Sequence, residues 1–295
     1  MPLHPLIAAI FTEAGHDPSL LPQTATDILR TPSGVFYTKV VRGTAAAQAR
    51  GEAASLVAMA RDAPPGLVPT VLGVKEDNGS LAMVSSYVDG SRAPDFQARL
   101  GAALAAMHAP GRSSRYGFDT PTHCGATEQR NDWNESWEAF FRDQRLGDLV
   151  RRLGDARISN LWEEMVAGAV PLLLGHFSPP PTPVILHGDL WSGNVAASRD
   201  GMPVIYDPAS YYGHGEADLG ITHMFGGFTP AFYDAYHAVH PRSAPYYDQR
   251  QQLYELYHHL NHALMFGGGY VGSAVRIMRG LVAWAEGVEK GASGD

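Results

Sequence analysis

Ile185-Leu186-His187-Gly188-Asp189-Leu190-Trp191-Ser192-Gly193-Asn194, with Val204-Ile205-Tyr206-Asp207-Pro208 just beyond it, is the stretch from which the rest of the chain can be read. Short β-forming runs at 184–186, 195–197 and 204–206 frame it, so its polar residues fall at strand ends. Asp189 and Asn194 stand five residues apart, and Asp207 follows one short hairpin later. Phosphoryl transfer asks for little more than these groups. One carboxylate orients the acceptor hydroxyl and takes its proton; an amide oxygen and a second carboxylate hold a hard divalent ion against the phosphates. Asp189 is therefore the expected base, and Asn194 and Asp207 the expected Mg²⁺ ligands. Asp and Asn are also ordinary turn residues, but a turn alone does not need two carboxylates and an amide at these spacings. His187 is expected to order the loop by hydrogen bonding and not to react.

Working outward, ATP chemistry makes demands upstream. A strand lysine should reach the phosphates, paired with a helical glutamate. Lys39 lies mid-strand among apolar neighbours, an expensive place for an unpartnered ammonium, and Glu52 lies in the next helix. The order before residue 88 is helix (3–14), hairpin (24–42, turning at Thr31-Pro32-Ser33-Gly34), helix (44–61), then strands 68–74 and 80–87 around the turn Asp77-Asn78-Gly79. This predicts a small sheet with one helix packed on it. Main-chain atoms near Ser86 and Val88 are the expected adenine contacts. From residue 95 helical periodicity prevails, at 95–108, 133–152, 158–175, 230–239, 247–266 and 271–289. A small β-rich lobe, a linker and a larger helical lobe interrupted by short strands is the layout of an α+β, bilobal protein-kinase-like fold. The expected division is 1–88 for nucleotide clamping and 89–295 for catalysis and acceptor binding.

Composition agrees with an enzyme and excludes several alternatives. The chain has 295 residues, 45% hydrophobic and 18% charged, which is enough to bury a core. A net charge of −8 offers no basic face for nucleic acid. The start, MPLHPLIAAIFTEAGH, lacks a basic segment and reads as an amphipathic helix, not as a secretion signal. No apolar run approaches the ~18 residues of a membrane span. Cys124 is the single cysteine, so no intrachain disulfide is possible and the expected setting is cytosolic. Cys124 itself reads as an unremarkable thiol in a polar loop.

The run His187–Asn194 resembles the catalytic signature of fructosamine (ketosamine) 3-kinases. So do Asp207-Pro208-Ala209-Ser210-Tyr211-Tyr212-Gly213, Phe225-Gly226-Gly227-Phe228, Asn131-Asp132-Trp133, the late Tyr257-His258-His259-Leu260-Asn261-His262 and Phe266-Gly267-Gly268-Gly269-Tyr270. The resemblance covers about residues 98–280. It implies phosphorylation of the 3-hydroxyl of a ketosamine, free or on a protein lysine, after which the adduct decomposes and frees the amine. It implies that Trp191 and the helix carrying His258, His259 and His262 line the sugar side, an indole face being suited to sugar C–H stacking. Family members carry a glycine-rich stretch before the first hairpin. Here that stretch is Ser19–Ala25 without glycine, leaving Gln23 and Thr24 as the expected phosphate contacts.

Other readings stay open on the residues alone. The acceptor could be an aminoglycoside or another small metabolite, or the chain could bind nucleotide without turnover. A protein kinase does not fit: no Phe-Gly follows Asp207 and no Ala-Pro-Glu segment appears. His258 and His262 share a helical face, as a zinc pair would, but no third ligand is evident by spacing. Glu216 and Asp218 are expected to cap a helix and brace the catalytic loop.

Overall fold

The computed structural model describes residues 2–22, 26–88, 90, 96–198 and 200–292. Helix α1 (Pro5–Glu13) starts on a proline, which costs no helical hydrogen bond at that position, and His4 Nδ1 accepts from the Leu6 N–H at 3.3 Å. Strands β1 (Ile28–Thr31) and β2 (Gly34–Arg42) form the first hairpin. Helix α2 (Thr44–Met59) follows, then β3 (Val71–Asp77) and β4 (Ser80–Ser86). Asn78 and Gly79 take positive φ, 47° and 71°, as a two-residue hairpin turn requires. The four strands make one antiparallel sheet in the order β1-β2-β4-β3, with Lys39 opposite Met83.

Strand β4 explains how the sheet is covered. Successive side chains point to opposite faces. Leu81 and Met83 meet Ala46, Ala49 and Ala53 of α2; Ala82 and Val84 meet Ile7, Ile10 and Phe11 of α1, with Leu29 and Phe36. The sheet therefore carries a helix on each face, where the sequence pattern suggested one, and β4 is apolar from Leu81 to Val84 because neither face of that stretch sees water. Each large side chain buried here contributes ~1.5–3 kcal/mol of transfer free energy.

The remainder is mainly helical: α3 (Phe96–Met107), the short hairpin β5 (Thr122–Cys124) and β6 (Thr127–Gln129), α4 (Trp137–Phe140), a π-helical turn at Phe141–Leu146, α5 (Gly147–Leu153), α6 (Ala156–Ala167) and α7 (Ala169–Leu174). The expected helix 133–152 is thus a continuous helical run over 137–153 that contains the π-helical turn, and the expected helix 158–175 is divided. Gly154 ends α5 at φ 61°, and Gly168, with ψ −75°, separates α6 from α7. Then come β7 (Val184–Ile185), β8 (Val195–Ala197), β9 (Pro203–Ile205), β10 (Tyr212–Gly213), a run of 3-10 turns at Gly215–His223, α8 (Pro230–His237), α9 (Tyr247–Phe266) and α10 (Gly269–Ala292). Helix α9 runs through the core with Leu253, Tyr254, Leu256, Tyr257 and Leu260 buried, and α10 packs on it through Ala274, Met278 and Leu281. The whole is α+β and bilobal, a small sheet lobe above a larger helical one. Among the described residues no helix is long and apolar enough to cross a membrane.

Candidate active site

The segment from β7 to β8 is held from below. Asp218, in the 3-10 run, accepts the backbone N–H groups of His187 and Gly188, both at 2.7 Å, and the His108 Nε2–H at 3.2 Å. Burial alone raises a carboxyl pKa, but His108 and these amides outweigh it and hold Asp218 below its ordinary value. Gly188 sits at φ 81°, and a Cβ there would lie 2.2 Å from the Ala209 carbonyl oxygen, so only glycine fits. His187 donates from Nε2 to the Tyr206 carbonyl at 2.9 Å, while its Nδ1 accepts the Asp189 N–H at 3.2 Å. Only a neutral ring does both. Its burial lowers the pKa in the same sense.

The side chains that follow converge. Asn194 Nδ2 donates to the Asp189 carbonyl at 2.9 Å and approaches the Asp189 carboxylate at 3.4 Å. Tyr206 N–H donates to the Asn194 carbonyl at 3.1 Å, which ties β9 to the loop and delivers Asp207 beside it. Asp207 takes φ 55°, unusual for a residue with a side chain. Among the described residues its carboxylate makes no hydrogen bond or ion pair. Burial pushes the Asp189 carboxyl up to about 7; the Cys124 thiol and the Asn194 amide oppose this, and the Asp207 charge adds to it. Across the cleft, Lys39 Nζ lies 2.7 Å from Glu52 Oε2. Burial works against the Lys39 charge, yet Glu52 holds the ammonium above its usual pKa. Burial raises Glu52 against the pull of Lys39.

Two cavities meet here. The larger, about 740 Å³, is lined by Lys39, Glu52, Asp189, Asn194 and Asp207, and on its far side by the β5–β6 hairpin, Trp191, Phe225 and the α9 residues Asn261, His262, Met265 and Phe266. The second, about 550 Å³, lies under Ser86, Tyr87 and Val88, with Val195, Val204 and Tyr206 as its floor. Tyr37, Glu52 and Asp207 belong to both, so the cleft is continuous. Trp191 is 38% exposed, its ring against Phe225 at 5.7 Å. Gly193 lies directly beneath that ring, where a Cβ would come within 2.1 Å of it.

Of the residues singled out in the sequence, Lys39, Glu52, Asp189, Asn194, Asp207, Trp191 and His262 line the larger cavity, and Ser86 and Val88 the smaller. His258 lies deeper, buried beside Asp189. His259 does not reach the cavity; its Nε2 pairs with Glu255 at 3.1 Å. Gln23 and Thr24 lie outside the described residues. Glu216 makes no cap: it forms a buried ion pair with Arg250 at 2.8 Å and accepts the Ser243 N–H. Cys124 is buried under the cleft and not in a polar loop. Its thiol bonds to Asp189, and burial pushes it well above an ordinary thiol pKa. The wall formed by His123, Gly125, Phe225 and Phe266 was missed as a site. Phe225 and Phe266 nonetheless lie in the sequence blocks that carried the family resemblance.

Residues 24–283 match the model of the fructosamine kinase family. A Synechocystis protein named as a probable ketoamine kinase is 47% identical over 182 residues, which are 61% of this chain and 60% of that protein. Mouse ketosamine-3-kinase is 35% identical over 280 residues, 85% of this chain and 89% of that one. The solved structure of a Thermobifida fusca protein, proposed to be a fructosamine-3-kinase, superposes with a TM-score of 0.79 at 26% identity, covering 95% of this chain and 99% of that one. With its sheet lobe, its loop held on Asp218 and its matched length, the chain belongs to the fructosamine kinase family.

Proposed function

We propose that this protein transfers the γ-phosphoryl group of ATP to a hydroxyl of a ketosamine, the adduct a sugar forms with an amine, and so initiates removal of that adduct. The observation that carries the reading is the meeting of Asp189, Asn194 and Asp207 around one cavity, with the Lys39–Glu52 pair on its wall. Residues 1–88 form the nucleotide-clamping lobe in this reading, and residues 89–295 the catalytic and acceptor-binding lobe. ATP lies in the cleft between them, its adenine against Ser86 and Val88 and its phosphates reaching Lys39.

Asp189 orients the acceptor hydroxyl and takes its proton as the oxygen bonds to the γ-phosphorus and the bond to the β-phosphate oxygen breaks, releasing ADP. A carboxyl raised to about 7 by burial suits a proton taken near neutrality. Asn194 and Asp207 fit Mg²⁺: bonding of Asn194 Nδ2 to the Asp189 carbonyl leaves the amide oxygen as a free donor, and the Asp207 carboxylate is unpaired among the described residues. When bound, the ion neutralises charge on the phosphate oxygens. Trp191 offers its indole face to the sugar, with His262 and Phe266 on the same wall. The relatives' names and the shared family support the ketosamine as acceptor. We place the enzyme in the cytosol, where a buried free thiol such as Cys124 stays reduced.

The test is ATP consumption with Mg²⁺, with and without a fructosyl- or ribulosyl-lysine analogue. Stimulation that disappears in Asp189→Ala is the expected result. Mg-ATP binding without stimulation by any ketosamine would remove the ketosamine from the proposal.

A further inference from the structure

A second set of donors lies beneath the acceptor side of the cleft. Cys124 Sγ, a carboxylate oxygen of Asp189 and an imidazole nitrogen of His258 lie within 4.8 Å of one another. They come from three separate places: β5, the catalytic loop and α9. Cys124 and His258 are 1% and 3% exposed, yet Cys124 and Asp189 also border the larger cavity, so the cluster is enclosed but reachable from the cleft. His258 Nδ1 is buried with no hydrogen-bond partner. Buried polar atoms are rarely left so, and the protein network therefore does not tie the ring down on that side. Among the described residues no other three metal-ligating side chains of this kind meet.

Thiolate, imidazole and carboxylate together are the donors of a zinc-class ion, whereas Mg²⁺ prefers oxygen alone. Zinc bonds of about 2.0–2.3 Å in a tetrahedron put donor atoms roughly 3.5 Å apart. Side-chain movements of about 1 Å close the present cluster to that geometry, the thiol proton leaving to solvent and the fourth position facing the cleft. We propose that Cys124, Asp189 and His258 form a binding site for a zinc-class divalent ion, and that its occupation inhibits phosphoryl transfer by engaging Asp189. The inhibitory half rests on Asp189 being the base for the acceptor; the site itself does not.

The sequence makes the test specific. Cys124 is the chain's single cysteine, so any thiolate-to-metal charge-transfer band belongs to it. Tag-free full-length protein is titrated with Co²⁺ alone, then with Zn²⁺. The expected result is a saturable near-ultraviolet band, abolished by one equivalent of Zn²⁺ and absent in Cys124→Ser. Zn²⁺ affinity should fall at least tenfold in Cys124→Ser and in His258→Asn, each checked for folding by circular dichroism. Absence of the band in the wild type, or Zn²⁺ affinity unchanged in both variants, overturns the site. Mg-ATP turnover is then measured against Zn²⁺, each protein scaled to its own zinc-free rate. The half-inhibitory concentration should rise at least tenfold in Cys124→Ser. A band without inhibition overturns the inhibitory role and counts against Asp189 as base. No band alongside ketosamine-stimulated turnover overturns the metal site and leaves the kinase reading standing.

Discussion

Asp189 is half-buried at the edge of the cleft, and its neighbours pull its proton affinity in opposite directions. In the proposed reaction Asp189→Ala removes the base for the acceptor hydroxyl, so kcat should fall by about 10²–10⁴-fold with the melting temperature nearly unchanged. Lys39→Ala deletes the proposed charged donor to the phosphates and leaves Glu52 unpaired in a partly buried wall. The expected effect is a loss of about 10- to 100-fold in kcat/KM for ATP, read from initial rates over a range of ATP concentrations. Asp207→Asn should erase the difference between nucleotide affinities measured with Mg²⁺ and with EDTA; a persisting difference would remove Asp207 from the metal's ligands. Asp189, Asn194 and Asp207 were legible as candidates because they are compressed into one short stretch of chain, and Lys39 because an ammonium stood mid-strand among apolar neighbours. The acceptor wall was not, since His123, Cys124, Phe225 and Phe266 come from distant segments and no spacing relates them. Cys124 in particular read as inert because its partners, Asp189 and His258, lie 65 and 134 residues away.

The catalytic loop is an element with little regular structure of its own, and its shape comes from what grips it. Asp218 accepts two successive backbone amides, and Gly188 meets the Ala209 carbonyl more closely than any side chain allows. Asp218→Asn keeps the size but removes the charge that both amides share. It should destabilise the protein by about 3 kcal/mol in denaturant unfolding and lower kcat as well, a joint loss that Asp189→Ala would not show. The sequence indicated Asp218 as a brace, because it opens a short helical run just after the loop. The same reasoning assigned Glu216 a capping role, and there the tertiary partner won: Arg250, 34 residues on, takes its carboxylate inside the core. The long helices α3 and α9 fell where expected. The β5–β6 hairpin did not, because three-residue strands carry too few alternations to register.

For the molecule as a whole, His214 shows how acid acts. It is buried against Phe177, bonded to Tyr254, and burial lowers its pKa to about 4. An unfolded chain protonates the same ring near 6.5. Between those values the unfolded state binds more protons, so stability is full above about pH 6.5 and declines as pH falls toward 4, by on the order of 3 kcal/mol from this group. Denaturant midpoints at pH 7.5 and 5 should differ accordingly, and His214→Gln should shrink the difference. The bilobal layout was readable from the order of periodic segments, but the way the lobes are joined was not. Helix α2 packs Ala46, Ala49 and Ala53 on the sheet, while Gln48 donates to the Gly125 carbonyl, Gly51 lies against the Pro121 carbonyl, and Ser55 Oγ accepts the Ser210 N–H. One helix thus completes the hydrophobic layer of the upper lobe and the surface of the lower. A fragment ending near residue 88 would expose a stripe of small residues shaped to fit something it no longer has, and it should not fold alone. Calorimetry of the intact chain should accordingly record one heat-absorption peak, the two lobes melting as a single cooperative unit.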